Sequence, residues 1–354
     1  MSAVGPFAQI AAQDNAVRVL EHALESGRIA HAYLFEGPSG VGKERAALAL
    51  ASALLCRDAR NKADADSCTC SVCTRIRAGG HPDVRVIRPR DDGDRNLQVE
   101  YIRSEILPFT KFAPFEAQAA CLIFPEADVS FPVQHAQAAN ALLKTLEEPR
   151  ARITFMLLAE RPDRLLSTIR SRCQRVVFRP LPAATLDAIL QRQGIAEPIR
   201  APAIALSQGR ADRALALAAD DTLQQLVALV LRVDAAVAAA RPGDLLNLAK
   251  ELADNDPLEP VLSTLSLFYR DVAQIALRVP DAVLSFPDSL ELLQTRANQV
   301  GAVHAAERVA AIAATQEAIE RNANAEIALD SLLFGFATGH LEPLKLVVKQ
   351  PRRG

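Results

Sequence analysis

The chain has 354 residues, enough for two or three domains with a real core. Half of the residues are hydrophobic, 23% are charged and Trp is absent, a globular composition that favours helix through Ala and Leu. The formal net charge of −2 excludes a global pull toward nucleic acid or an anionic membrane, so any such contact must be local.

The N-terminal MSAVGPFAQIAAQDNAV lacks a basic segment followed by an apolar core, so no secretory signal is expected. No run approaches the roughly 18–20 apolar residues of a membrane span. Residues 1–31 read as two short helices, with Ile10, Val17, Leu20 and Ala23 on one stripe and Gly27 as a stop. Residues 32–35 (AYLF) read as a buried strand and residues 45–55 as a helix. Between them, HAYLFEGPSGVGK at residues 31–43 sets Gly37, Gly42 and Lys43 at the spacing G-x-x-x-x-G-K, with Gly40 inside the loop. Strand, glycine loop and helix form a phosphate cradle. Backbone N–H groups line a concavity, the helix N-terminus adds partial positive charge, and lysine adds a full one. The position after the lysine wants a hydroxyl for Mg²⁺, and here it is Glu44.

The polar stretch 57–80 reads as a loop insertion. Cys56, Cys68, Cys70 and Cys73 cluster there, and four thiolates can close a tetrahedral Zn²⁺ site, although the 68-x-70 gap is tight. Such a cluster suits a reducing, cytoplasmic compartment better than a disulfide framework does. Cys121 and Cys173 read as packing residues, and His31, His81 and His135 as structural ones. Residues 84–87 form a strand candidate, 89–96 a charged loop and 99–107 a helix. Residues 119–124 (AACLIF) are apolar throughout, as in a central parallel strand covered on both faces. Pro125 then stands where a motor ATPase wants an Asp for Mg²⁺. Glu126 is placed as the second acid, and Asp128 as a partial compensation.

A long helix at 134–147, stopped by Pro149, carries NALLKTLEEP. A strand at 153–158, a short helix at 163–169 and a strand at 176–178 follow. Strands alternating with helices make a doubly wound α/β domain. Arg172, in Ser171-Arg172-Cys173, reads either as a surface charge or as an arginine finger acting on a neighbour's γ-phosphate, and the residues alone do not separate the two. Residues 183–219 read as a small helical domain interrupted by Gly209. From 221 to about 344 only helical periods appear, between breakers at Pro242-Gly243, Asp256-Pro257, Pro280 and Pro287. Residues 345–354 form a basic tail.

Taken together, the His31 strand and glycine loop, the cysteine cluster, His81-Pro82-Asp83, the 140–149 run and Ser171-Arg172-Cys173 resemble the bacterial clamp-loader AAA+ subunits over about residues 7–180. The resemblance implies an AAA+ P-loop core at 1–180 with the cysteine insertion at about 56–80. It implies a helical lid at 181–220 and an all-α oligomerising collar at 221–344. The implied function is loading a sliding clamp onto primed DNA, alongside tau/gamma and delta subunits, with no membrane role. ATPase subunits of this family keep a Thr after the loop lysine and an Asp-Glu pair. They also keep a Thr sensor after the third strand and a lid Arg three residues after a Gly. Here those places hold Glu44, Pro125-Glu126, Ala159-Glu160 and Asp212, with Arg213 beside it. The departures fall on nucleotide chemistry while Arg172 is kept. The resemblance therefore implies a subunit that need not hydrolyse ATP, its own ATPase absent or weak, and that lends Arg172 to its neighbour; the length agrees, since tau carries further domains. ATP and Mg²⁺ binding without turnover at Gly37, Gly40, Gly42, Lys43, Glu44 and Glu126 stays open. The alternatives are an active tau/gamma-like ATPase subunit and a zinc-stapled DNA-binding adaptor, against which the net charge speaks.

Overall fold

The computed structural model describes residues 5–56, 58, 68–89, 97–132, 136–147, 152–219, 221–254, 257–321 and 323–341. Glu148 and Pro149 of the 140–149 run, His135, most of the 57–67 insertion, most of the 89–96 loop and the basic tail lie outside the described residues. Internal packing divides the chain into two compact units. One is Met1–Leu186 with Gly209–Arg213; the other is Asp187–Gln208 with Ala214–Gly354.

The first unit is built on five parallel strands: β1 (Ala32–Glu36), β2 (Val84–Val86), β3 (Ala120–Phe124), β4 (Ile153–Ala159) and β5 (Gln174–Val177). Their order is β2-β3-β4-β1-β5. In register, Leu34 lies opposite Leu157 on one side and Arg175 on the other. The three central strands are buried at every position, which is why they read as unbroken apolar runs. One face carries Ala32, Leu34, Leu122, Phe124, Phe155 and Leu157 into a core shared with Ala139, Leu142 and Leu146 of the helix Ala136–Glu147. On β3 and β4 also packs the helix Lys43–Leu55, through an Ala/Leu face.

Several local readings shift. Residues 5–12 form turns, and the N-terminal helix is Asp14–Ser26, closed by Gly27. The last strand starts at Gln174 rather than at 176, because β1 bonds it from that residue; Gln174 and Arg175 are polar because β5 lies at the sheet edge. The helix expected at 99–107 runs on to Lys111 by way of a π-helical stretch, Ile102–Ile106. There Leu107 N–H reaches back to the Ile102 carbonyl, and Pro108, which has no N–H to donate, follows directly. His81-Pro82-Asp83 acquires a structural reason. The buried Asp83 carboxylate accepts the backbone N–H groups of Phe115, Glu116 and Ala117, and His81 Nδ1 accepts Asp83 N–H at 3.1 Å.

The second unit is helical: Glu197–Ser207, Thr222–Ala239, Pro242–Ala253, Glu259–Ala276, Leu290–Glu320 and Ala325–Thr338. Pro242 and Pro260 stand in first turns, where their missing N–H costs nothing. Gly301 (φ 74°, ψ 166°) breaks the helix Leu290–Glu320, a break that the helical period does not show. Contrary to the sequence reading, one described helix, Thr222–Ala239, is long and apolar enough to cross a membrane. It nevertheless carries the buried Asp234, which accepts hydrogen bonds from Tyr269 (3.2 Å) and Arg296 (2.6 Å), so it reads as a helix of the bundle.

Asp83→Ala strands three backbone donors. It is expected to cost about 1–3 kcal/mol in urea unfolding, with Asp83→Asn falling between it and the wild type.

Candidate functional site

β1 ends at the buried Glu36 and delivers the chain into the loop. Gly37 (φ 147°) donates to the Ala159 carbonyl at the end of β4. A Cβ on it would lie 2.4 Å from the Phe178 carbonyl oxygen, so only glycine fits. The helix Lys43–Leu55 starts at Gly42, and the Gly42 carbonyl accepts Ala46 N–H. The cradle thus keeps its shape.

Its charges run against a phosphate. Lys43 is buried, and its Nζ donates to the Gly37 and Pro38 carbonyls of its own loop. Burial lowers its pKa, while Glu160, Asp128 and Asp212 pull it back up. The Asp212 carboxylate stands on the loop. Ser39 Oγ donates to it at 2.8 Å, and its Oδ1 lies 2.0 Å from where a Cβ on Gly40 (φ 67°) would be. Ala211 N–H meets the Gly40 carbonyl at 3.1 Å. Burial pushes the Asp212 carboxyl up, but hydrogen bonds from Arg210 and Ser39 outweigh that and hold it below its usual range. Glu44 pairs with Arg88. Asp128 is spent on the backbone: its carboxylate accepts the N–H groups of Glu160 (3.2 Å) and Arg161 (2.8 Å), and burial raises its pKa. Glu126 occupies the N-cap position of the short helix Ala127–Ser130 after β3, where its backbone carbonyl, not its carboxylate, accepts Val129 and Ser130 N–H.

Two residues here escaped the sequence reading. Gln13, buried, brackets Arg179 through both its carbonyl (2.7 Å) and its N–H (2.9 Å), and its amide also reaches the Val41 carbonyl (3.4 Å). Glu36 accepts a bidentate fork from Arg175 at 2.7 and 2.5 Å. Nothing in their spacing signals either contact.

The four expected cysteines do meet. The Sγ atoms of Cys56, Cys68, Cys70 and Cys73 all lie within 4.8 Å of one another. Zn–S bonds of about 2.3 Å place tetrahedral sulfurs about 3.8 Å apart, so the donor set fits a structural metal despite the tight 68-x-70 gap. Cys70 caps the helix Ser71–Arg77, and the Cys73 N–H it accepts lowers its thiol to about 7. Cys121 and Cys173 lie outside the cluster, and burial pushes each thiol up to about 12. Arg172, just past the helix Ser167–Arg170, has a side chain 33% exposed. It donates to the Thr168 carbonyl (2.8 Å) and pairs with Glu147 at the end of the helix Ala136–Glu147. Glu147 of the 140–149 run and Arg172 of the Ser-Arg-Cys loop, each readable alone as solvated surface, are thus ion-paired.

The family model described as DNA polymerase III, delta subunit, matches residues 12–182. The one described as DNA polymerase III, delta subunit, C terminal, matches residues 220–338. Together they span the sheet and the helical bundle. The chain belongs to the clamp-loader subunit family of bacterial DNA polymerase III. It is 29% identical over 333 residues to the Bacillus subtilis DNA polymerase III subunit delta′, covering 92% of this chain and 97% of that one. The delta′ of Pseudomonas aeruginosa strain PAO1 is 36% identical over 156 residues, 44% of each chain. The Bacillus subtilis subunit tau is 31% identical over 297 residues, 80% of this chain but half of tau.

For a clamp-loader subunit, ATP and Mg²⁺ are the implied occupants of the loop, and the residues present do not fit them. Glu44 replaces the metal-holding hydroxyl, Pro125 replaces the metal-holding Asp, and a carboxylate faces the cradle. The sheet edge offers a check on the architecture beneath. Arg175→Ala leaves the Glu36 charge buried without its fork, so it should lower the thermal midpoint more than Glu36→Gln does, and the double variant should recover part of the loss.

Proposed function

We propose that this chain is the delta-prime subunit of the clamp loader, helping to place the sliding clamp on primed DNA in the bacterial cytoplasm. In this reading it hydrolyses no ATP and lends Arg172 as an arginine finger to a neighbouring tau/gamma subunit. The supporting observation is the contrast between two sites. The phosphate loop is faced by acids, while Arg172 is half-exposed and held by Glu147 and the Thr168 carbonyl. A guanidinium so placed stabilises charge that develops on a γ-phosphate in the transition state, and preorganisation makes that contribution large.

The domain assignment follows the family resemblance: AAA+ core at 1–180, lid at 181–220, and collar at 221–344 joining tau/gamma and delta. Zn²⁺ held by Cys56, Cys68, Cys70 and Cys73 supplies no chemistry. It closes an insertion whose described residues have a small core of the cysteines, Val72 and Ile76.

In a loader reconstituted with its partner subunits, Arg172→Ala should leave this chain folded and lower DNA-stimulated ATPase about tenfold or more. An unchanged rate removes the finger assignment. Steady-state hydrolysis by the isolated chain, abolished by Lys43→Ala, would favour the ATPase-subunit alternative instead. Metal analysis should find one zinc per chain, and Cys73→Ser should lose it together with several degrees of thermal midpoint.

A further inference from the structure

We infer that Asp212 is the group that bars nucleoside triphosphate from the phosphate loop, by standing against Ser39 and Gly40 as a built-in anion. The inference rests on the reading of this chain as a subunit without turnover, and deepens it by naming the residue that excludes the ligand.

A glycine loop at a helix N-terminus attracts an anion whatever its source. Here the anion is supplied by the same chain. Asp212 is anchored by four donor atoms on three groups. Ser39 Oγ donates at 2.8 Å, the Arg213 N–H at 2.8 Å, and Arg210 through Nε at 3.4 Å and Nη2 at 3.2 Å. Ala211 N–H on the Gly40 carbonyl fixes the neighbouring backbone to the loop as well. The carboxyl sits below its usual range, so it is ionised at neutral pH. Its Oδ1 is so close to Gly40 that a single added methyl there would collide with it. An incoming triphosphate would meet this charge at the loop, with the buried Asp128 and the exposed Glu160 also in the field of Lys43, and Arg210 already engaged by Asp212 and Glu160. Like charges forced together in a partly desolvated site oppose binding strongly. Lys43 meanwhile spends its ammonium on the loop's own carbonyls. Glu44 and Pro125 impair the metal, but neither stands on the loop as Asp212 does.

The test is titration of the full-length isolated chain with ATP, with and without Mg²⁺, by calorimetry. It compares the wild type with Asp212→Asn, Asp212→Ala and Asp212→Arg, each checked by thermal unfolding. The wild type should show no saturable binding up to about 1 mM. Asp212→Arg should bind at least about tenfold more tightly than that limit, with Asp212→Asn and Asp212→Ala in between. The asparagine variant is nearly isosteric and keeps the comparison readable if the others fail to fold. Wild-type binding as tight as that of Asp212→Arg overturns the inference, as does the failure of every folded variant to bind. Arg172 is read in the ATPase of the assembled loader, whereas this titration uses the chain alone, so either idea can fail without the other.

Discussion

β1 lies hydrogen-bonded between β4 and β5, and that double pairing fixes where every functional loop leaves the sheet. Because all five strands are parallel, their C-terminal ends share one edge. The glycine loop follows β1, Glu126 and Asp128 follow β3, and Glu160 follows β4. Gly37 is tied to the last residue of β4, and Phe178 N–H to the Glu36 carbonyl at 2.7 Å. The Glu36–Arg175 fork fastens the edge strand to β1 at the same level. Shifting β1 by one residue would turn its side chains to the opposite faces and detach the loop from both neighbours.

On that scaffold the charge pattern, rather than the fold, departs from that of a phosphate cradle built for turnover. A phosphate cradle works by surrounding negative charge with donors and cations. Here the backbone part of the cradle is kept, since its glycine conformations and the helix start are intact. The side-chain part is reversed: Asp212 faces the loop, Glu44 is turned to Arg88, and Asp128 is consumed in holding the turn after β4. Arg172 lies elsewhere on the same unit, and its partner Glu147 ends the helix Ala136–Glu147. Exposed ion pairs are individually weak, so Glu147 can orient the guanidinium without holding it permanently.

The sequence shows clearly what depends on local backbone or on burial at every position. The glycine spacing is legible because particular φ angles and close approaches admit no other residue. β1, β3 and β4 are legible because strands covered on both faces must be apolar throughout. The helical character after 221 follows from periodicity, and its starts from Pro242 and Pro260. That the four cysteines meet is legible from their clustering alone. Pairings set by tertiary placement are not. Ser39 and Asp212 stand 173 residues apart, Glu36 and Arg175 139 apart, and each member looks like an ordinary polar residue in its own stretch. Glu147 and Arg172 are only 25 apart, yet each passes for a solvated end. The family resemblance flagged Asp212 as a departure, but its contact with the loop appears only in three dimensions. The π-helical stretch at Ile102–Ile106 and the break at Gly301 are not legible either, because a helical period marks a helix without marking a local change in its hydrogen bonding or dihedrals.

The central claim is that this chain carries the phosphate-loop fold but delivers its chemistry through Arg172 to another subunit. The most direct measurement sets two single variants of this chain side by side in the reconstituted loader, reading ATP hydrolysis stimulated by primed DNA and the clamp. Lys43→Ala should leave the rate close to that of the wild type, whereas Arg172→Ala should collapse it. The opposite order, with Lys43→Ala destroying activity and Arg172→Ala sparing it, would contradict the account.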